Sequence, residues 1–360
     1  MTPCLALATA LLPAAPAPNA PPRTCLAAGA EVGGRAEHRW PEGGLDDQLR
    51  LTRGRAELGL AQGPASARMV WATVRSGGED GYIGVYGEAL VPAVQVAEAR
   101  WTLRSVGLAV AAGLVDDPWV ATHPMFWDLR ALAPDLVEAA GWTAPSDVGA
   151  SVAWTAPRSW VTAVARASTG EGTWRRERNE GQNIDGLLIV RPLAGAGAAD
   201  ALVVAAWVRE GSQGLAAVRD HRAGLRVGHR GPWAVAGAEG VQAWGIAGDA
   251  LRGPFALSAW AHTGPEVPLA AVIRRDRTDE SPGGPGGARN AWLGALGVPV
   301  GRQPGAAPPA RLMIGWESAK TDSDAQTIAG ADAFSREHKV FLHLDTRLRV
   351  AADGVTLAIP

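Results

Sequence analysis

Apolar and polar residues alternate along the stretch KVFLHLDTRLRV, residues 339–350. Val340 and Leu342 have one parity, and His343 and Asp345 have the other. Successive side chains of a β-strand point to opposite faces, so this period predicts a strand with one apolar and one polar face. A strand needs about 9–11 residues to cross a bilayer, whereas soluble strands mostly have about 5–6. The stretch is therefore compatible with a membrane-spanning strand.

Similar segments recur along the chain and predict sixteen strands. Their predicted cores are 29–39, 48–60, 66–75, 89–104, 106–115, 147–155, 160–168, 185–192, 201–209, 223–230, 233–244, 255–262, 267–275, 291–298, 310–318 and 339–350. Helical periodicity is confined to 127–140, where a proline interrupts it. Because almost no helix is available to cover an apolar sheet face, a closed barrel in lipid is favoured. The fold class predicted is all-β: a transmembrane antiparallel β-barrel of about 16 strands.

The predicted connections differ in length. Some are tight, such as Ser105 and Gly231-Pro232, and others are long and polar. The long ones are 76–88, 116–146, 169–184, 276–290 and 319–338. Short turns at one end and long loops at the other are typical of bacterial outer-membrane barrels. Because long loops in compact domains are usually functional, the longest one, 116–146, is expected to have a functional role.

The chain begins with a stretch that is typical of a secretory signal. Residues 1–20 contain a short apolar run followed by small residues and prolines, and they predict a signal peptide. The barrel domain is predicted at 28–350, followed by a C-terminal tail or the end of the closing strand at 351–360. The two cysteines exclude a framework of several disulfides and a CxxC metal motif.

Composition narrows the function further. The formal net charge of −2 gives no sign of a nucleic-acid binder. The 15 tryptophans suit either interfacial belts of a membrane protein or a carbohydrate-binding surface. For a barrel, five of them are predicted to lie mostly in two rings at the membrane interfaces: Trp71, Trp101, Trp154, Trp244 and Trp316.

No catalytic or metal-binding motif is evident. The chain has no HExxH, GxSxG or Walker sequence, and GGPGG at 283–287 predicts a flexible loop. His338 and His343 have opposite parity on one predicted strand, so they cannot share a metal ion there. Asp116 and Asp117 are expected in a solvated turn. The sequence therefore predicts no enzymatic activity, no cofactor and no metal.

Four stretches resemble the phosphate-selective porin family of outer-membrane proteins. AEVGGRAEHRW at 30–40 and RLTRGRAELGL at 50–60 are similar to its first two strands, and VGLAVAAGLVDDPW at 106–119 to a strand that leads into the constriction loop. TGEGTWRRERNEGQNIDGLLIVRPL at 169–193 is the most similar. It echoes the family's loop and strand through Gly181, Asp185, Gly186, Arg191 and Pro192. The resemblance implies a sixteen-stranded, water-filled, trimeric channel for small solutes, in which the connection 116–146 folds inward as a constriction loop.

Charge parity nominates the residues of such a channel. The pore-lining candidates are Arg53, Arg55, Glu57, Glu98, Arg100, Arg104, Arg347 and Arg349. The constriction-loop candidates are Asp116, Asp117, Asp128, Arg130, Asp135 and Glu138. If the loop carboxylates face the arginines of the early strands, a transverse field crosses the constriction, and such charges set selectivity. Because arginines outnumber acids on the polar strand faces, a weak anion preference is expected.

The predicted function is an outer-membrane porin for passive diffusion of small hydrophilic solutes, with outer-membrane lipid and two further copies of the chain as partners. Two alternatives remain at this point. One is a secreted, soluble all-β protein that binds carbohydrate through its tryptophans. The other is an outer-membrane barrel with an enzymatic or adhesive role.

Overall fold

The computed structural model describes ten stretches of the chain. They are residues 24–41, 46–76, 89–170, 182–195, 201–211, 221–244, 253–279, 288–301, 310–321 and 336–353. The predicted signal peptide, most residues of the predicted C-terminal tail and most of the long polar connections lie outside these stretches.

Sixteen antiparallel strands form one closed barrel, as predicted. In chain order, β1 to β16 are Thr24–Pro41, Asp46–Gln62, Ala65–Ser76, Ala89–Leu103, Leu108–Asp116, Ser146–Thr155, Val161–Ser168, Asn183–Val190, Leu202–Glu210, His221–Arg230, Ala234–Trp244, Phe255–Thr263, Ala270–Asp279, Ala288–Val300, Ala310–Thr321 and Arg336–Asp353. Each strand pairs with its neighbours in sequence, and β1 pairs with β16 to close the sheet. Closure leaves the sheet without an unpaired edge.

The ends of the barrel domain differ slightly from the prediction. β1 begins at Thr24, before residue 28, and β16 continues past Val350 to Asp353. The closing strand therefore includes the first three residues of the predicted tail.

The predicted helical segment 127–140 is mostly not helical. One short α-helix, α1, lies before this segment at Pro118–Thr122. A second, α2, lies near its end at Leu136–Ala139. Helix α2 begins only after Pro134, where the Asp135 side chain accepts a hydrogen bond from the Val137 amide. Single 3-10 turns lie at Arg104–Val106, His123–Met125 and Pro157–Ser159. None of the helices in the described stretches is both long and apolar enough to cross a membrane.

The alternation in β16 separates the two faces of the sheet as the sequence predicted. Leu342 and Leu344 are 51% and 46% exposed on the outside, whereas His343 and Asp345 are 0% and 4% exposed inside. Large apolar side chains are also exposed on the outer face of the other strands, for example Ile314 on β15. The barrel therefore has an apolar outer belt around a charged interior.

The tryptophans in the described stretches include an outer group and a buried group. Of the five predicted interfacial ones, Trp101, Trp154, Trp244 and Trp316 are exposed, and Trp71 is half-buried. Trp101 and Trp154 lie near the strand ends with short turns, and Trp244 ends β11 at the opposite rim. A second group of tryptophans is buried inside the barrel, which the sequence analysis did not predict.

Candidate channel interior

Residues 117–145, here called the inner segment, connect β5 to β6 and cross the interior of the barrel. Arg226 on β10 donates to Asp135 of the segment at 2.9 Å. On the other side of the barrel, Arg35 on β1 donates to the Leu132 carbonyl at 2.7 Å. Because β1 and β10 are nearly opposite one another in a closed sheet of sixteen strands, the segment must pass through the lumen.

The start of the inner segment is fixed by Asp117. Its carboxylate accepts hydrogen bonds from the Trp119 and Val120 amides, which caps α1. It also accepts bonds from Thr143 at 2.8 Å, Arg166 at 3.1 Å and Arg209. Burial acts to raise the pKa of Asp117, but the charges of Arg209 and Arg166 outweigh it and lower the pKa to about 2. The carboxylate is therefore ionised and joins the segment to β7 and β9.

Asp185 on β8 completes this network. It accepts bonds from Arg166 at 2.8 Å, from Arg209 at 2.7 Å and from the Trp207 indole at 3.1 Å. Two carboxylates and two guanidinium groups thus alternate in a buried site. Their formal charges cancel, which limits the cost of burying them.

Arg226 holds the middle of the inner segment. Its guanidinium donates to Asp135 at 2.9 Å and to Glu239 on β11 at 2.8 Å, and it lies 4.0 Å from the centre of the Trp119 ring. Burial, and then the charge of Glu239, raise the pKa of Asp135 to about 7. Three ionisable side chains are therefore packed where water does not reach.

The same place contains a metal-like set of ligands. One atom each of His123, Asp135 and Glu239 lies within 4.8 Å of the others. Both carboxylates, however, already accept hydrogen bonds from Arg226. The guanidinium supplies the positive charge that a metal ion would bring, so we assign the site to Arg226.

A third contact holds the turn near Asp128. Its carboxylate accepts from Arg311 on β15 at 2.9 Å, and His262 Nε2 on β12 lies 3.1 Å from it. Arg347 on β16 donates to the Asp128 carbonyl. Basic side chains on three strands thus converge on one residue of the segment.

Aromatic packing accompanies these polar contacts. Trp119 stacks on Trp207 with ring centres 5.4 Å apart, and Trp127 meets Trp260 edge to face at 6.1 Å. Phe126 belongs to the same buried cluster. The inner segment therefore forms an apolar core with β9 and β12 inside the barrel, where the alternation alone predicted only water-facing residues.

A cavity of about 1210 Å³ lies on the side of the inner segment that faces the long connections. Eleven basic and six acidic side chains line it. The basic residues are Arg35, Arg50, Arg53, Arg55, Arg130, Arg166, Arg209, Arg222, Arg274, Arg289 and Lys339, and the acidic ones are Glu37, Asp117, Glu138, Asp147, Asp276 and Glu317. The wall of this cavity therefore carries a formal excess of positive charge.

The pore-lining candidates occupy several positions in the structure. Arg53 and Arg55 point into the barrel and line the cavity. Arg53 pairs with Glu31 at 2.7 Å, Arg55 with Glu57 at 3.3 Å, and Arg100 with Glu98 at 3.2 Å.

The other pore-lining candidates are spread more widely. Arg347 lies beside Asp128 inside the barrel, and it pairs with Glu31 and Asp345, both at 3.3 Å. Arg104 is exposed in the 3-10 turn after β4, outside the strand on which it was expected. The side chain of Arg349 lies outside the described residues.

Among the described residues, no constriction-loop carboxylate forms an ion pair with Arg53, Arg55 or Arg100, although Asp117 and Glu138 line the same cavity as Arg53 and Arg55. Asp116 ends β5 and pairs with Arg68, not with a member of the predicted set. Asp117, Asp128 and Asp135 bind arginines on β7, β9, β10 and β15, and the remaining two candidates, Arg130 and Glu138, pair with each other. Most of these pairs involve inward arginines of the later strands, and the transverse field between the loop and the early strands stays a prediction.

These later arginines were not among the predicted site residues. Arg166, Arg209, Arg226, Arg274 and Arg311 are all buried on inward strand faces. Parity could have indicated most of them, since Arg166, Arg226 and Arg311 each interrupt a mainly small or apolar run at an inward position.

Gly33 marks the place where the inner segment touches β1. A Cβ atom there would lie 2.8 Å from the Cβ of Ala131 and 2.8 Å from the Thr52 hydroxyl. We expect Gly33→Leu to overpack this contact and to lower the stability of the folded barrel by about 1–3 kcal/mol. The temperature at which the protein loses its folded mobility on unheated gels measures this.

Gly34 provides the matched control. A Cβ atom there would approach nothing closer than the Arg50 carbonyl, at 4.0 Å. Gly34→Leu is expected to leave that temperature nearly unchanged. Equal losses in both variants would contradict the close approach of the inner segment at Gly33.

The fold resembles solved outer-membrane channels. An anion-selective porin from Comamonas acidovorans superposes with a TM-score of 0.64 at 9% identity over 90% of this chain and 100% of that chain. The DcaP channel of Acinetobacter baumannii gives 0.61 at 11% identity over 90% and 97%. The trimer form of OmpT of Vibrio cholerae gives 0.57 at 10% identity over 90% and 99%.

Sequence comparison adds nothing to this. No protein-family model matches the chain, and no curated protein matches it. At identities near one residue in ten, the structural likeness establishes the fold, a sixteen-stranded barrel of the kind found in porins.

Proposed function

We propose that this protein is a porin of the bacterial outer membrane, a water-filled channel through which small hydrophilic solutes diffuse passively. The observation that carries the proposal is the distribution of side chains, which is the reverse of that in a soluble protein. The barrel has an exposed apolar belt outside and charged side chains inside. Exposure of an apolar face of this extent to water is unfavourable, whereas contact with lipid stabilises it. The predicted signal peptide agrees with export to that membrane.

The secreted carbohydrate-binding protein is the weaker alternative. It would need a second layer over the apolar face, but the described α-helices are short and lie within the inner segment. The exposed tryptophans lie on the outer surface among aliphatic side chains, as interfacial anchors do. Fractionation with membranes and altered mobility of the unheated protein on a gel would separate the two functions.

The inner segment acts as the constriction of the channel. It crosses the lumen and is fixed at Asp117, Asp128 and Asp135. A barrel of sixteen strands leaves an aqueous channel unless something fills it, so the segment sets the narrowest cross-section. It acts without catalysis or a cofactor, and we expect the protein to assemble as a homotrimer.

The channel has a weak preference for anions. The excess of basic side chains around the cavity raises the local concentration of anions. This supports a general anion preference more than selectivity for phosphate, because guanidinium groups paired with carboxylates form most of the charged wall.

Planar-bilayer recording in a KCl gradient tests both the channel and its preference. We expect discrete conductance steps and a reversal potential set mainly by chloride. Replacing Arg53 and Arg55 by glutamine removes two positive charges from the cavity wall, so the reversal potential should shift toward that of potassium.

Arg104→Gln is the control for this measurement. It removes one positive charge from an exposed turn outside the cavity, and it should leave the reversal potential close to that of the wild type. A cation-selective wild type, or equal shifts in the two variants, would contradict the assignment of the cavity wall as the selective part of the channel.

A further inference from the structure

Basic side chains on the outward face of the described strand residues are confined to one region of the barrel. Among the strand residues with described side chains, the outward-pointing arginines and lysines all lie on β13, β15 or β16. They are Arg275, Arg277, Lys320 and Arg336, and each is exposed. Every other described strand arginine or lysine belongs to the inward face. The restriction to three of sixteen strands indicates a specific surface.

The pairing of the strands aligns these residues. Arg277 is opposite Asn290, Asn290 is opposite Lys320, and Lys320 is opposite Arg336. We call Arg277, Asn290, Lys320 and Arg336 the basic row. They form one continuous line across β13 to β16, at the end of the barrel that carries the long connections.

The basic row lies at the border of the apolar belt that is nearest the long connections. The next outward row consists of Arg275, Trp292, Ser318, His338 and Trp40. The row below that contains Ile273, Gly294, Trp316 and Val340. Side chains therefore change from apolar to aromatic to cationic within three rows, which is the order of a bilayer from hydrocarbon to headgroup.

The positive charges of this region are largely uncompensated. No described carboxylate forms an ion pair with Arg275, Lys320 or Arg336, and Arg277 approaches Asp279 only to 3.9 Å. The Arg275 guanidinium lies 5.1 Å from the Trp292 ring and that of Arg277 lies 5.4 Å from the Phe255 ring. Contact with aromatic faces orients the guanidinium groups while leaving their donors available.

We propose that the basic row binds the headgroup of a lipid with two phosphate groups, in the leaflet at the end with the long connections. Guanidinium and ammonium groups are the usual partners of phosphate. Arg277 and Arg336 are three strand spacings apart, about 14 Å, so a single phosphate cannot reach both ends of the row. The proposal depends on the membrane location of the barrel but not on its channel activity.

Binding of a bis-phosphorylated disaccharide lipid to the purified, detergent-solubilised protein tests this. The lipid retained per chain can be counted by native mass spectrometry across a concentration series. Each basic residue near an anionic membrane surface contributes about fivefold to affinity. The triple variant Arg277→Gln, Lys320→Gln, Arg336→Gln should therefore bind about a hundredfold more weakly.

Arg289→Gln is the matched control, because Arg289 precedes Asn290 on β14 and points into the barrel at the same height. It should retain wild-type lipid binding, and all variants should keep the folded mobility on unheated gels. Wild-type affinity in the triple variant would overturn the proposal. So would equal affinity for the mono-phosphorylated lipid, or displacement of the lipid by equimolar pyrophosphate, which would indicate a site for soluble anions. A triple variant that loses self-association but keeps the lipid would identify the row as a subunit contact and likewise overturn it.

Discussion

Leu344→Arg is expected to prevent most of the protein from folding into a bilayer. Leu344 lies near the middle of β16, on the apolar outer face, and pairs with Leu312 of β15. An arginine on the lipid-facing side near the bilayer midplane costs about 2–4 kcal/mol. That is a large share of the 5–15 kcal/mol that typically separates folded from unfolded protein. The folded fraction on unheated gels, after refolding into lipid vesicles, measures the loss.

Two further variants show whether the effect depends on the face of the sheet. Leu344→Met keeps an apolar side chain of similar volume in contact with lipid, so it should fold like the wild type. Arg55→Leu changes a charged residue on the inward face and should alter conductance while preserving the folded fraction. Comparable losses of folding for Leu344→Arg and Arg55→Leu would contradict the assignment of the two faces.

The sequence predicted the strands well because one physical constraint acts on all of them. Each strand has lipid on one side and polar groups on the other, so the period of two appears directly in the residues. Strand ends were less accurate. β14, for example, was predicted at 291–298 but runs from Ala288 to Val300. Beyond the apolar belt both faces are polar, and the alternation that marks a strand disappears.

The inner segment shows where such reasoning stops. Its acidic residues were identified, but their partners were not, because Arg226 is 91 residues from Asp135 and Arg311 is 183 residues from Asp128. Those distances are bridged only when the barrel closes. The local sequence also suggested a helix over 127–140, whereas contacts with the barrel wall hold most of that stretch in turns.

Arg226→Met is expected to release the middle of the inner segment from the barrel wall. Arg226 is fully buried, and its guanidinium lies between Asp135 and Glu239. Removing one partner from a buried ion pair typically costs about 3–5 kcal/mol, since the remaining charge has no compensation. Here two carboxylates would be left facing each other. Detachment of the segment should widen the channel, so single-channel conductance and its fluctuations should both increase.

The double variant Arg226→Met, Glu239→Gln separates loss of this contact from general misfolding. It removes one of the two carboxylates, so the repulsion disappears and the conductance should return part of the way toward the wild-type value. Protease cleavage within residues 117–145 should follow the same order, with Arg226→Met cleaved fastest. Detachment of the segment lets water reach the remaining carboxylates and so relieves most of that cost. Because the barrel wall itself does not need Arg226 to pair β10 with its neighbours, all variants should still migrate as folded barrels. Wild-type conductance in Arg226→Met would show that the aromatic contacts of Trp119 and Trp127 are sufficient to hold the segment, and that the buried charges do not fix the size of the channel.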